Sequence, residues 1–122
     1  MFVKTIKSFD EASREADVYV SDGVYELLCF VHPVGAIQIC QNVISVSALF
    51  CSEPYRAEKE QFTLQKQTGY YASAVTGKVL SRGENLVCVG EIRIKLDTPL
   101  PKDIANGEYV FFTADRFDAE LE

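Results

Sequence analysis

The chain has 122 residues, a formal net charge of −6, four cysteines, one histidine and no tryptophan. This length fits a single domain, residues 1–122, and 48% hydrophobic against 25% charged residues excludes a disordered chain. The acidic balance argues against a protein that coats duplex nucleic acid, because phosphate neutralisation requires surplus Lys and Arg. Without an apolar stretch of membrane-spanning length or a secretory signal pattern, a cytoplasmic protein with no membrane contact is predicted.

The first predicted elements are a short strand over residues 2–6 and a short N-terminal helix. Ser8, followed three residues later by Glu11, matches a capping box at the start of a helix. Asp10 and Glu11 would also suit the positive end of a helix dipole. The pattern therefore predicts a helix over about residues 9–16.

From Asp17 onward the apolar residues alternate with period two, which is typical of strands. The pair Asp22-Gly23 lies between two such runs, residues 18–21 and 24–31, and predicts a hairpin. A further turn is expected at residues 33–35. Residues 36–51 then form a strand whose apolar parity switches near Gln41-Asn42, which indicates a bulge or a bend.

The remaining chain predicts a second hairpin and a closing strand. Residues 52–69 are a polar connection, with room for one helical turn. Strands over 70–80 and 86–96 then flank a loop at 81–85, and a last strand covers residues 108–114. The acidic tail, residues 115–122, is expected to be frayed unless Phe117 and Leu121 dock. Short strands at this spacing predict a mostly β fold, an antiparallel small β-barrel with one short N-terminal helix.

Two segments resemble a known fold. Residues 17–30, with their Ser-Asp-Gly turn, resemble the early hairpin of OB-fold domains of the replication protein A type. Residues 90–96 and 107–112 look like the closing strands of such barrels. The resemblance implies an OB-like β-barrel and, with it, oligonucleotide binding.

The second hairpin also predicts a binding face. If Leu80 faces Leu86, the register places Ala72, Ala74, Ile92 and Ile94 on the core face. The opposite face then carries Tyr71, Ser73, Arg93 and Lys95, with Tyr71 opposite Lys95. An aromatic ring beside cations is how proteins hold single strands, because bases stack on the ring and phosphates meet the cations. The alternative is a solvated cross-strand pair with a cation–π contact.

Three further basic residues, Lys66, Lys78 and Arg82, are candidates for the same ligand. They lie in the basic middle of the chain, residues 53–102, which carries eight basic and six acidic residues, while both ends are acidic. The register also places Val75, Val79, Val87 and Val89 on the face of Tyr71. Such valines would be covered by the 52–69 connection or by a partner chain.

No catalytic or metal-binding motif is present in the sequence. His32 is the single histidine and has no second histidine to share a metal or a proton. Cys29, Cys40, Cys51 and Cys88 lack zinc spacing and are interpreted as reduced, buried thiols. We therefore expect no catalytic residue, no metal and no cofactor.

The sequence favours a non-enzymatic binding module, with single-stranded nucleic acid as the ligand. The alternative is an acidic protein–protein interaction, through an inhibitor, an immunity-type protein or a self-associating structural protein that forms a homo-oligomer. The acidic tail fits either a solubilising terminus or a segment that recruits partner proteins.

Overall fold

A computed structural model describes residues 1–32 and 35–122, and these residues form eleven strands and no helix. The strands are β1 (Phe2–Asp10), β2 (Glu15–Ser21), β3 (Glu26–Val31), β4 (Val43–Leu49), β5 (Tyr55–Arg56), β6 (Thr63–Lys66), β7 (Ser73–Ser81), β8 (Leu86–Val89), β9 (Ile92–Leu96), β10 (Tyr109–Ala114) and β11 (Arg116–Leu121). The predicted mostly β fold is confirmed. Most of the predicted turn at 33–35 lies outside the described residues.

All eleven strands belong to one open sheet, so the predicted antiparallel small β-barrel is wrong. The strand order is β1-β2-β3-β11-β4-β9-β8-β7-β10-β5, and β6 pairs with β7 off this path. The sheet is also not purely antiparallel, because β11 runs parallel to β3 and β4 runs parallel to β9. Both parallel pairs join strands far apart in sequence, and local alternation carries no signal for such neighbours.

The predicted N-terminal helix is wrong, because its residues form the end of a β-hairpin. β1 pairs with β2 along its whole length, from Phe2 opposite Ser21 to Asp10 opposite Glu15. The Asp10 carboxylate accepts the backbone N–H of Ala12 at 2.9 Å and closes the turn. The local capping signal loses to the pairing of β1 with an apolar strand, since tertiary context overrides weak helix propensity.

The hairpin around Asp22-Gly23 is confirmed, with a longer loop than a two-residue turn. Ser21 pairs with Glu26, and Gly23 has a φ of +100°. The Asp22 carboxylate accepts the N–H groups of Val24 and Tyr25 at 2.9 and 2.8 Å. Asp22 also accepts the N–H of Glu91 at 2.8 Å, which ties this loop to the β8–β9 turn.

The second hairpin keeps part of its predicted register, and it buries both the predicted core face and the valines assigned to the opposite face. Val79 lies opposite Val87, as the register requires. Residues 86–96 are two strands, however, because Gly90, with a φ of +60°, reverses the chain and β9 folds back on β8. The core therefore contains the four valines predicted for the outer face, together with the two isoleucines of β9: Val75, Val79, Val87, Val89, Ile92 and Ile94.

Two segments predicted as irregular are strands. The 52–69 connection contains β5 and β6, which pair with β10 and β7. The tail forms β11, which lies between β3 and β4 in the interior of the sheet. Phe117 of β11 is fully buried and Leu121 packs against the core, so the tail docks through the two residues named for it and is not frayed. Burial of the Phe117 side chain contributes roughly 2–3 kcal/mol to holding the tail in place.

The core is one apolar cluster that runs through the sheet. Its largest fully buried side chains are Phe112, Phe117, Leu27, Ile92, Ile94 and Ile104. The cysteines are free thiols, of which Cys29 and Cys88 are buried, Cys51 is half-buried and Cys40 is exposed. The prediction of buried thiols thus holds for Cys29 and Cys88 only.

Candidate functional site

The structure separates Tyr71 from the two cations that the sequence placed beside it. Tyr71 precedes β7, and its hydroxyl donates to the Asp17 carboxylate of β2. Its ring meets Phe30 of β3 edge to face, with 6.3 Å between centroids. Arg93 and Lys95 lie on β9, which pairs with β8 and β4 and not with β7. The predicted pair of Tyr71 and Lys95 is therefore wrong.

Asp17 anchors the segment before β7 to β2. Its carboxylate also accepts the hydroxyls of Ser8 and Tyr70, each at 2.9 Å. Burial, followed by the hydrogen bond to Asp17, raises the pKa of Tyr71 well above its ordinary value, so the phenol stays protonated. Because its hydroxyl donates to Asp17, Tyr71 attaches the segment before β7 to β2.

Ser73 and Lys66 are also engaged within the protein. Ser73 is only 7% exposed and lies on the core side of β7, opposite Ala114. The Lys66 ammonium donates to the backbone carbonyls of Gly69, Tyr70 and Ala72. Burial and the nearby Lys7 lower the pKa of Lys66. Ser73 is thus turned inward, whereas Lys66 is exposed and donates to its own loop.

Three other predicted cations do come together, on the surface of β7, β8 and β9 that points away from the core. Lys78 of β7 lies opposite Tyr109 of β10 on one side and opposite Cys88 of β8 on the other. Cys88 in turn lies opposite Arg93 of β9. Residues paired in this way share one face of a sheet. Lys95 follows Arg93 by two residues and therefore points the same way. We call this surface, with Tyr109, Lys78, Arg93 and Lys95, the outer face.

The cations of the outer face have no carboxylate partner in the described part of the chain. The ion pairs found there involve Lys4, Arg56 and Arg116. Arg93 and Lys95 are exposed and Lys78 is half-buried. Arg82 is exposed in the turn between β7 and β8, where its backbone N–H donates to the Asn106 side chain at 2.9 Å.

Aromatic residues that were not predicted from the sequence border these cations. Tyr109 and Phe111 of β10 point away from the core. Val110 and Phe112, which alternate with them, are buried. The Phe62 ring lies 5.5 Å from that of Tyr109 and 5.9 Å from that of Tyr25. Buried and outward side chains alternate over residues 109–114, and this pattern was the signal for the two aromatic residues. It places them beside the cations only when β10 is known to lie next to β7.

A groove opens beside the outer face. Its floor is a row of four residues across β5, β10, β7 and β6: Tyr55, Phe111, Thr76 and Thr63. Its wall comes from the segment 57–61, and its volume is about 340 Å³. The Tyr55 ring packs on Phe111 at 5.3 Å and remains 56% exposed. We call this feature the Tyr55 groove.

Within residues 1–32 and 35–122, no three His, Cys, Asp or Glu side chains are grouped to hold a metal. His32 borders a second cavity of about 490 Å³, whose lining includes Phe30 and Val31 of β3 and Asp118 to Leu121 of β11. In the same described ranges, no helix is long and apolar enough to cross a membrane.

In comparisons with known proteins, no family model matches the chain, and no curated protein or solved structure matches it significantly. The resemblance of residues 17–30, 90–96 and 107–112 to OB-fold domains therefore stays a prediction. The outer face and the Tyr55 groove are therefore the features from which a binding function is inferred.

Proposed function

We propose that this protein is a non-enzymatic binding module that holds single-stranded nucleic acid across its outer face. The observation that carries the proposal is a group of three outward cations, Lys78, Arg93 and Lys95, next to the aromatic ring of Tyr109. None of the three forms an ion pair within residues 1–32 and 35–122. Phosphates would meet the cations, and bases would stack on the aromatic border.

The spacing of the cations supports a strand laid across the sheet. Lys78 and Arg93 lie two strands apart, so their backbones are separated by roughly 9–10 Å, while Arg93 and Lys95 are about 7 Å apart along β9. Long side chains on such a scaffold can reach neighbouring phosphates of one flexible strand. Three cations on a protein of charge −6 are too few for a duplex, and they predict weak, salt-sensitive binding.

A protein partner or a homo-oligomer has less support than it had from the sequence. That alternative rested on the net charge of −6 and on valines sharing the outer surface. The charge remains, but the four valines are in the core, and the acidic tail is the interior strand β11. Light scattering over a range of concentrations tests the alternative directly, since a stable dimer would restore it.

Fluorescence anisotropy with a labelled single-stranded oligomer of about 15 nucleotides tests the proposal, because sites on single-strand binders cover roughly 4–16 nucleotides. We expect binding at low salt that weakens as salt is raised. Lys95→Glu should abolish most of it, whereas Lys4→Glu, on the end strand β1, should not. A lack of binding at low salt would refute the proposed function.

A further inference from the structure

The Tyr55 groove has the shape and lining of a site for one planar, polar-edged ring. Its floor combines the exposed Tyr55 ring with two threonines, Thr63 and Thr76, of which Thr76 is 9% exposed. The volume of about 340 Å³ falls at the lower end of the roughly 300–1,000 Å³ typical of small-ligand pockets. The site is therefore sized for a small ligand and not for a second folded chain.

The chemistry of the lining matches a nucleobase. Tyr55 rests on Phe111 at 5.3 Å with an interplanar angle of 43°, so the supported ring presents a surface for stacking. Threonine hydroxyls both donate and accept hydrogen bonds, as does the Gln61 amide on the wall. A nucleobase needs this combination, an aromatic surface for its plane and mixed donors and acceptors for its edge.

The groove is continuous with the outer face. Phe111, in the floor of the groove, lies two residues from Tyr109 on β10, while Thr76 lies two residues from Lys78 on β7. Each step is about 7 Å along a strand. The wall of the groove carries one cation, Lys59, and one carboxylate, Glu58. A strand whose phosphate meets Lys78 can thus place its neighbouring base in the groove.

We propose that the Tyr55 groove receives one base of the bound strand, stacked on Tyr55 and hydrogen-bonded at its edge by Thr76 and Thr63. This inference rests on the proposed function and assigns its substrate contact more closely. The outer face supplies attraction that does not depend on sequence, and the groove supplies the contact that distinguishes a base from a bare sugar-phosphate chain.

Nuclear magnetic resonance with single nucleotides tests the groove separately from the strand. Each of the four nucleoside monophosphates is titrated to millimolar concentration, with ribose 5-phosphate as the control that lacks a base. We expect at least one nucleotide to shift the methyl signals of Thr63 and Thr76, through the ring current of the base. Ribose 5-phosphate should leave these signals unchanged.

Variants of the groove give a second readout with the labelled oligomer. Tyr55→Leu should weaken binding about fivefold or more, the effect expected from loss of one stacked base. Thr76→Val keeps the shape of the side chain but removes its hydroxyl, and it should weaken binding of the oligomer about two- to tenfold. Phe50→Leu is the matched control, because Phe50 is 70% exposed but lies outside the groove.

The outcomes separate the two proposals. If the oligomer binds but nucleotides leave the threonine signals unchanged and Tyr55→Leu binds as the wild type does, the groove inference fails and the proposed function stands. If nucleotides bind in the groove but the oligomer does not bind, the proposed function fails and the groove remains a nucleotide site. If neither binds, both proposals are refuted.

Discussion

The salt dependence of binding measures how many phosphates the outer face neutralises. For single strands, the slope of log K against log salt is about −0.7 for each phosphate contact. With Lys78, Arg93 and Lys95 engaged, the slope should be about −2, and raising salt from about 50 to 200 mM should weaken binding roughly 20-fold.

Removal of one cation should change that slope by a definite amount. Arg93→Gln leaves two contacts, so the slope should fall to about −1.4 and the same salt change should cost roughly sevenfold. Arg93 is exposed and makes no ion pair within the described residues, so the substitution should alter stability by less than about 0.5 kcal/mol. A weaker complex would then report lost contact and not unfolding.

Anisotropy titrations at four or more salt concentrations provide the slope for each variant. Lys4→Gln removes the same charge from β1 at one end of the sheet order and should leave the slope unchanged. If Arg93→Gln and Lys95→Gln both retain the wild-type slope, the outer face does not hold phosphates and the reasoning is refuted. An equal reduction in Lys4→Gln would show a general effect of net charge and would also count against it.

Three further predictions concern the scaffold. Gly77→Ala should lower the free energy of unfolding by about 1–3 kcal/mol in urea titrations, because a Cβ there would lie 2.4 Å from Val87; Gly83→Ala, with open space around it, should be nearly neutral. Although burial raises the pKa of Asp22, its backbone hydrogen bonds outweigh this and lower it. Asp22→Asn should therefore lower the free energy of unfolding by about 1–2 kcal/mol at pH 7. The difference from the wild type should shrink as pH falls below about 4, and a difference independent of pH would contradict this prediction. Asp17→Asn should lower the raised pKa of Tyr71, measured by ultraviolet titration of tyrosinate, and an unchanged titration would show that burial alone sets it.

Much of the local structure could be predicted from the sequence. Alternation over 18–21 and 24–31, with Asp22-Gly23 between them, correctly indicated the β2–β3 hairpin, because a strand with one buried face requires period two. The basic middle of the chain contributes Lys78, Arg93 and Lys95, the three cations that share the outer face. Composition carried this information because it needs no knowledge of which strands are neighbours.

The errors arose where a local signal competed with distant pairing. Ser8 and Glu11 form a capping pattern, but β1 gains more by pairing with β2 than a short isolated helix could. Residues 86–96 alternate throughout, yet a turn at Gly90 reverses the chain and turns the valines inward. A one-residue change of register moves every side chain to the other face, so the missed turn at Gly90 led to the wrong pairing of Tyr71 with Lys95.

The sequence by itself determined that the chain forms strands, where the β2–β3 hairpin turns and which segment carries surplus positive charge. These properties are local, and period-two patterning and turn chemistry encode them directly. Only the tertiary structure decided that β11 lies between β3 and β4, that β9 lies beside β4, and that Tyr109 rather than Tyr71 borders the cations. Those neighbours are chosen by burial of one shared core, whose contacts join residues up to about a hundred positions apart, and no short stretch of sequence specifies them.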